Sequence, residues 1–324
     1  MPNERHTPSP NSLNRFLPVF NRRPGGQGGS GSGDLPRLSR SGFFYLTHHG
    51  ISQGAIAAAF DQAHQFFALP PRAKQAIAWS NEVSNRGYIG LGRERLDETQ
   101  PGDLKEAFNL GREVSPGAAA ALGMPLVQNR WPYDLPEFRD HLIDFFDTCA
   151  EAAGRVFRAF ALALNMPEDF IFAHHATHNY TLRLLHYPPL AHAPQPGQIR
   201  AGAHSDYGTL TLLFQDSVGG LEVLSAQGDW ISAPSIPGAM LINTGDLTER
   251  WSNGVFRSTK HRVGLPQGEP GPVFNHRYSI AFFCEPDPEA IITCLPTCQG
   301  SDNPPQYPPI TAGDYLLSRL KATY

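Results

Sequence analysis

The sequence predicts an α+β fold, a double-stranded β-helix (jelly-roll) core with a helical N-terminal part packed against it. Three observations predict it. Two long segments before residue 165 repeat apolar residues at helical spacing. After about residue 178 the texture changes to short runs rich in Val, Ile, Leu, Thr and aromatics, broken by Gly, Pro, Asn and Asp, the pattern of an antiparallel sandwich or jelly roll. The chain has 324 residues, 40% of them hydrophobic, which is ample for a core. The expected divisions are a flexible segment over 1–40, a mainly helical region over 41–178, the jelly-roll core over 179–300, and a C-terminal segment with a short helix over 301–324.

The elements follow in order. "RFLPVF" reads as a short strand, and "RRPGGQGGSGSGD" as a linker with almost no side chains to pack. "GFFYLTHHG" is a buried strand ending in a turn. "GAIAAAFDQAHQFFALP" is an amphipathic helix with Ile56, Phe60, Ala63 and Phe67 on one face, ended by Pro70 and Pro71, which open a shorter helix. A long helix follows, with Asp134 and Glu137 as its cap, Pro136 near its first position, and Phe138, Leu142, Phe145, Cys149, Val156, Phe160 and Leu164 along its apolar face. Asn165 and Pro167 stop it. Asn243, Gly245 and Asp246 read as a tight turn, and Asn253 with Gly254 as a hairpin turn. His174, His175 and His178 read as a solvated connection, and Trp230 and Trp251 as packing residues.

Composition narrows the function. The net charge is −4 with no basic cluster, which argues against nucleic acid, and no apolar run reaches membrane-spanning length. The N-terminus lacks the apolar stretch of a secretory signal, and four cysteines in a chain this long do not make a disulfide scaffold. A cytoplasmic location is the resulting expectation, with a monomer as the default state.

The chemistry concentrates in "AGAHSDYGTLTLLFQD". On a strand His204 and Asp206 share a face, so an imidazole and a carboxylate stand together. A third ligand on a later strand would complete a metal site, and His261 and His276 are both available. Two imidazoles and one carboxylate leave open positions on iron for a co-substrate and O2, although zinc hydrolases use a similar set. Arg277 and Ser279 also share a face. An inward Arg is costly unless it meets an anion, and 2-oxoglutarate balances the charge: Fe(II) with one aspartate carries +1, Arg277 +1, the diacid −2.

His204-x-Asp206, His261 in "SNGVFRSTKHRV" and Arg277-x-Ser279, with "GGLEVL", "RYSIAFFCEPD", "GFFYLTHHGI" and "RGYIGLG" around them, resemble the iron- and 2-oxoglutarate-dependent dioxygenases of the isopenicillin N synthase-like superfamily. The resemblance covers most of residues 40–320. It implies that His204, Asp206 and His261 are the metal ligands and catalytic centre. It further implies that Arg277, Ser279 and Tyr187 hold 2-oxoglutarate, and that Fe(II), 2-oxoglutarate and O2 are used to hydroxylate or desaturate a small secondary metabolite, with release of succinate and CO2. The family often carries Asn where this chain has Leu185. His276, adjacent to Arg277, is expected to face away as a structural or surface residue. Arg183, Arg86, Tyr88 and Phe283 are the substrate-site candidates. An iron oxidase of the same fold that needs no 2-oxoglutarate, and a non-catalytic metal-binding jelly roll, are the alternatives.

Overall fold

Two antiparallel walls facing each other carry the architecture. The computed structural model describes residues 19–21 and 41–323, except 98, 122–125, 191–193 and 266–274; the linker over 22–34 lies outside the described residues. The strands are β1 (Val19–Asn21), β2 (Phe43–Thr47), β3 (Gly87–Ile89), β4 (Glu106–Gly111), β5 (Tyr180–Tyr187), β6 (Ala201–His204), β7 (Leu210–Gln215), β8 (Leu221–Leu224), β9 (Trp230–Ser232), β10 (Ala239–Thr244), β11 (His261–Val263) and β12 (Arg277–Cys284), followed by the short pair β13 (Ile291–Ile292) and β14 (Ile310–Thr311). The large sheet runs β1-β2-β10-β7-β12-β5-β4-β3 and the small one β6-β11-β8-β9. The pairings are antiparallel except β1 with β2.

Strand alternation sorts the large sheet into two faces. Leu182 and Leu184 on β5, Ile280 and Phe282 on β12, and Leu212 on β7 point outward into an apolar core shared with the helices. Leu185, Tyr187 and Ala281 point inward, toward Ala201, Leu221, Val223 and Val263 of the small sheet. The outer core is covered by α1 (Gln53–Phe67) and the long α4 (Phe138–Ala163). Between them lie α2 (Pro71–Gln75) and α3 (Pro116–Ala121); α5 (Phe170–Ala173), α6 (Asp246–Trp251) and α7 (Ala312–Thr323) follow.

Ser52 caps α1, accepting from the Ala55 amide at 3.0 Å. Helix α4 begins four residues beyond the expected Asp134 cap. Asp134 is spent in a turn, and the Phe138 amide is held by the Leu135 carbonyl at 3.2 Å; Glu137 is the residue before the helix and makes no side-chain cap. The far end matches the reading of Asn165, which takes a left-handed φ of 54°. Region 41–178 is less purely helical than expected, because it lends β2, β3 and β4 to the large sheet.

Several turn readings are corrected. Asn243 lies inside β10, not in a turn. Asn253, with φ 50°, follows α6 rather than closing a hairpin, and its buried amide donates to the carbonyls of Cys298, Asn303 and Pro304. His175 is not solvated: it is 0% exposed, stacks on Phe157 at 4.2 Å, and shares a hydrogen bond with Thr209. Trp251 is buried in the outer core, and Trp230 packs under the Arg262 guanidinium at 4.1 Å.

Candidate active site

The two imidazoles are placed by strand pairing. His204 ends β6 and His261 begins β11, and the two residues are direct partners in the antiparallel register, with ring centroids 4.3 Å apart. Each ring is oriented from behind. His204 Nδ1 donates to the Gly202 carbonyl at 2.8 Å and His261 Nδ1 to the Thr259 carbonyl at 3.2 Å. A carbonyl only accepts, so each Nδ1 carries a proton, and in the neutral tautomer that this selects, the Nε2 lone pair faces the cavity.

Asp206 reaches the same point by a different route from the expected one. The strand ends at His204, so shared strand parity does not aim Asp206. Its Oδ2 is held by Thr211 Oγ1 of β7 at 2.5 Å and by Asn243 Nδ2 of β10 at 2.7 Å. Its Oδ1 then lies 3.6 Å from His261 Nε2 and 3.9 Å from His204 Nε2. One donor atom from each of the three residues falls within 4.8 Å of the others, the one such cluster able to hold a metal ion among the described residues. Gly245 permits this approach: a Cβ there would lie 2.3 Å from the Gly208 carbonyl oxygen.

The electrostatics fit a cation. Burial, with the His261 ring alongside, lowers His204 to about 3, so it stays neutral and able to ligate. Burial pushes Asp206 upward. The facing imidazoles and the hydrogen bonds from Asn243 and Thr211 outweigh it, and the carboxyl stays below its ordinary range.

On the opposing wall Arg277 and Ser279 face inward on β12, as parity requires, and pair with Tyr187 and Leu185 of β5. Arg277 is 1% exposed. Its Nε donates to the Gly219 carbonyl at 2.7 Å, Nη2 to Gln215 Oε1 at 2.8 Å and Nη1 to Ser279 Oγ at 3.3 Å, and its guanidinium lies 4.7 Å over the Tyr187 ring. Among the described residues no carboxylate pairs with it. A buried cation held only by neutral groups is a receptor for an anion.

The cavity between the walls is lined by both sets and closed at one side by Leu320 and Thr323 of α7, with Thr323 Oγ1 bonded to the Tyr207 hydroxyl at 2.7 Å. Of the substrate-site candidates, Arg183 and Phe283 line it, whereas Tyr88 does not. Tyr88 is the outward residue of its three-residue strand; its hydroxyl donates to Glu106 at 2.6 Å, beside Lys74 and His186 on the helix side of the sheet. Arg86 lies behind the lining, with its neighbour Asn85 on the cavity surface. His276 is on that outer side too, hydrogen-bonded to His186 at 2.8 Å.

Sequence reasoning missed several residues here. Thr211 and Asn243 position Asp206. Arg183 pairs with Glu94, which also meets Lys105 at 3.2 Å, and Lys105 in turn pairs with Asp103, a buried cluster of two cations and two anions. Glu285 and Asn109 also line the cavity. Thr211 lies within the stretch already singled out and Arg183 was a candidate, but nothing local in the sequence brings Asn243, Glu94, Asp103, Lys105, Asn109 or Glu285 to the site.

Comparison with known proteins identifies the arrangement. Residues 178–286 match the 2OG-Fe(II) oxygenase superfamily, and residues 38–134 match the N-terminal region of the non-haem dioxygenases in morphine synthesis. The 2-oxoglutarate-Fe(II) type oxidoreductase hxnY of Emericella nidulans is 35% identical over 291 residues, 88% of this chain and 82% of its own length. This chain is a 2-oxoglutarate/Fe(II) oxygenase. The oxygenase is also 34% identical over 321 residues to proline hydroxylase buaE of Petromyces alliaceus, covering 95% of this chain and 98% of that one. Its fold superposes on Neurospora crassa T7H in complex with alpha-KG and thymine with a TM-score of 0.80 and 36% identity, over 90% of each chain. As an enzyme of this family it uses Fe(II), 2-oxoglutarate and O2 to oxidise a small molecule, and its core is the jelly roll. These relatives do not favour a non-catalytic metal binder or an oxidase without 2-oxoglutarate. Among the described residues no helix is long and apolar enough to cross a membrane.

Proposed function

We propose that His204 Nε2, His261 Nε2 and Asp206 Oδ1 hold the iron, and that Arg277, Ser279 and Tyr187 receive the distal carboxylate of 2-oxoglutarate. The observation that carries this reading is the convergence of three free donor atoms at one end of a cavity whose large-sheet wall holds a buried, acid-free guanidinium. Bound iron and 2-oxoglutarate supply the oxidant for a substrate C–H bond, yielding succinate and CO2 with the oxidised product.

The chain's own groups have separable tasks. The Gly202 and Thr259 carbonyls fix the imidazole tautomers, and Thr211 with Asn243 fix which carboxylate oxygen faces the ion. Arg277 offers a planar fork that selects a carboxylate in one orientation, backed by the Tyr187 ring. Leu185, opposite Ser279, keeps that end of the cavity apolar. Arg183 is fixed by Glu94 and Phe283 adds an aromatic face, so the substrate enters between them and the metal end.

The substrate is a small metabolite, and the protein works as a monomer in a reducing cytoplasm. Four buried, free cysteines and a chain without basic clusters support that placement. The test is succinate formation from 2-oxoglutarate with added Fe(II) in air. Wild type turns over 2-oxoglutarate, slowly without substrate, and Asp206→Ala does not. An Asp206→Ala protein that decarboxylates 2-oxoglutarate at the wild-type rate overturns the assignment.

A further inference from the structure

Beyond the metal end, the inward faces of β4, β5 and β12 gather three polar groups that the reading above leaves unused. Asn109 faces inward on β4, opposite Arg183. Two residues on, Gly111 has no side chain, and a Cβ there would lie 1.7 Å from Arg86 Nη2, so the Arg86 guanidinium fills that space. Thr181 sits opposite both Gly111 and Phe283, and carries the row to Glu285, just past the end of β12.

Each of the three keeps a buried atom without a hydrogen-bond partner: Asn109 Oδ1, Arg86 Nε and Glu285 Oε2. The Asn109 orientation is fixed by its neighbours. Trp79 Nε1 can only donate, and it donates to Asn85 Oδ1 at 3.2 Å; Asn109 Nδ2 donates to the same oxygen at 2.9 Å, which leaves Asn109 Oδ1 as the open acceptor. Arg86 and Glu285 lie close enough to feel each other's charge, yet no ion pair joins them. Unmet buried polar atoms are rare, so two on the lining of one corner, with a third just behind them, mark a place built for a ligand group.

We propose that Glu285 and Asn109, which line the cavity with the Arg86 guanidinium behind them, form its substrate-anchoring end and select a neutral group with an N–H to donate, as in an amide, lactam or imide. This rests on the oxygenase reading of the same cavity. Asn109 Oδ1 and Glu285 accept from N–H. A carboxylate would face two acceptors. An ammonium would meet Glu285 but lie in the field of the guanidinium behind it. Burial pushes the Glu285 carboxyl upward against the pull of Arg86, and a protonated carboxyl still offers both an O–H and a carbonyl oxygen to an amide edge while losing its attraction for a cation.

The test uses the full-length protein loaded anaerobically with Fe(II) and 2-oxoglutarate. Its charge-transfer absorbance is followed during titration with cyclic amides and imides (thymine, uracil and 2-pyrrolidinone) and their N-methylated counterparts. At least one N–H compound is expected to bind about tenfold or more tighter than its N-methyl counterpart, and Glu285→Leu and Asn109→Leu to shrink that ratio to about threefold or less. Equal affinities within every wild-type pair, or no binding by any N–H compound, overturn the proposal, as does a ratio retained in both variants. Failure of 2-oxoglutarate itself to produce the absorbance band tells instead against the assignment of the metal and co-substrate residues, so the two failures are distinct.

Discussion

Replacing Asn243 by Ala removes one of the two groups that hold Asp206. The Asn243 Nδ2 to Asp206 Oδ2 contact is 2.7 Å long and both residues are buried. A hydrogen bond to a charged group in such a setting is worth about 1.5–3 kcal/mol. Thr211 remains, at 2.5 Å, but it constrains Oδ2 from one side only, so the carboxylate gains freedom to rotate Oδ1 away from the imidazoles. Outer groups of this kind typically account for about 10–100-fold in metal affinity, or about 1.4–2.7 kcal/mol, which agrees with the hydrogen-bond figure. The assay is anaerobic titration of Fe(II), or of Mn(II) as a redox-stable substitute, into metal-free protein at neutral pH, by calorimetry or chelator competition. A folded Asn243→Ala protein that binds both metals with wild-type affinity refutes the claim that Asn243 organises the site.

Further predictions concern other parts of the molecule. Arg277→Leu should weaken 2-oxoglutarate binding by about 2–5 kcal/mol, at least about thirtyfold in Kd, while Fe(II) affinity changes little; equal losses for both ligands would contradict the separation of roles. Lys105→Met removes the cation that Asp103 and Glu94 share and should destabilise the fold by about 3–5 kcal/mol in urea unfolding, with partial recovery when Asp103→Asn is added. Burial lowers His175 to about 3 in the folded protein, against about 6.5 when unfolded. Its contribution is therefore complete above pH 6.5 and lost as the pH falls toward 3, because only the unfolded chain takes up the proton in that window. The slope is about 1.4 kcal/mol per pH unit, and His175→Gln should flatten it in denaturant midpoints measured across the window.

Parity explains what could be read beforehand. Arg277 and Ser279, and Arg183, Leu185 and Tyr187, lie on eight-residue strands where alternation is unambiguous, so their shared inward face was legible. His204 and His261 were legible as residue types, but the register that places them opposite each other is a property of two separated strands. Tyr88 was misread because a three-residue strand is too short to declare its faces. Asn243 was misread because Asn before Gly and Asp has the composition of a turn, and only the pairing of β10 with β7 and β2 puts it in a strand. Arg183 and Arg86 were singled out beforehand, but not the partners that gather round them: Glu94, Asp103 and Lys105, or Asn109 and Glu285, come from strands and loops whose mutual paths the sequence does not encode locally.

The candidate iron centre is divided between the two walls: its imidazoles ride on β6 and β11, while the grip on its carboxylate comes from β7 and β10. An ion seated there works as a clasp across the barrel, because letting the sheets part means breaking a coordination bond or tearing Asp206 from its holders. Iron occupancy and the breathing of the barrel are then one equilibrium, so amides of the smaller sheet should exchange with deuterium more slowly once the clasp is shut.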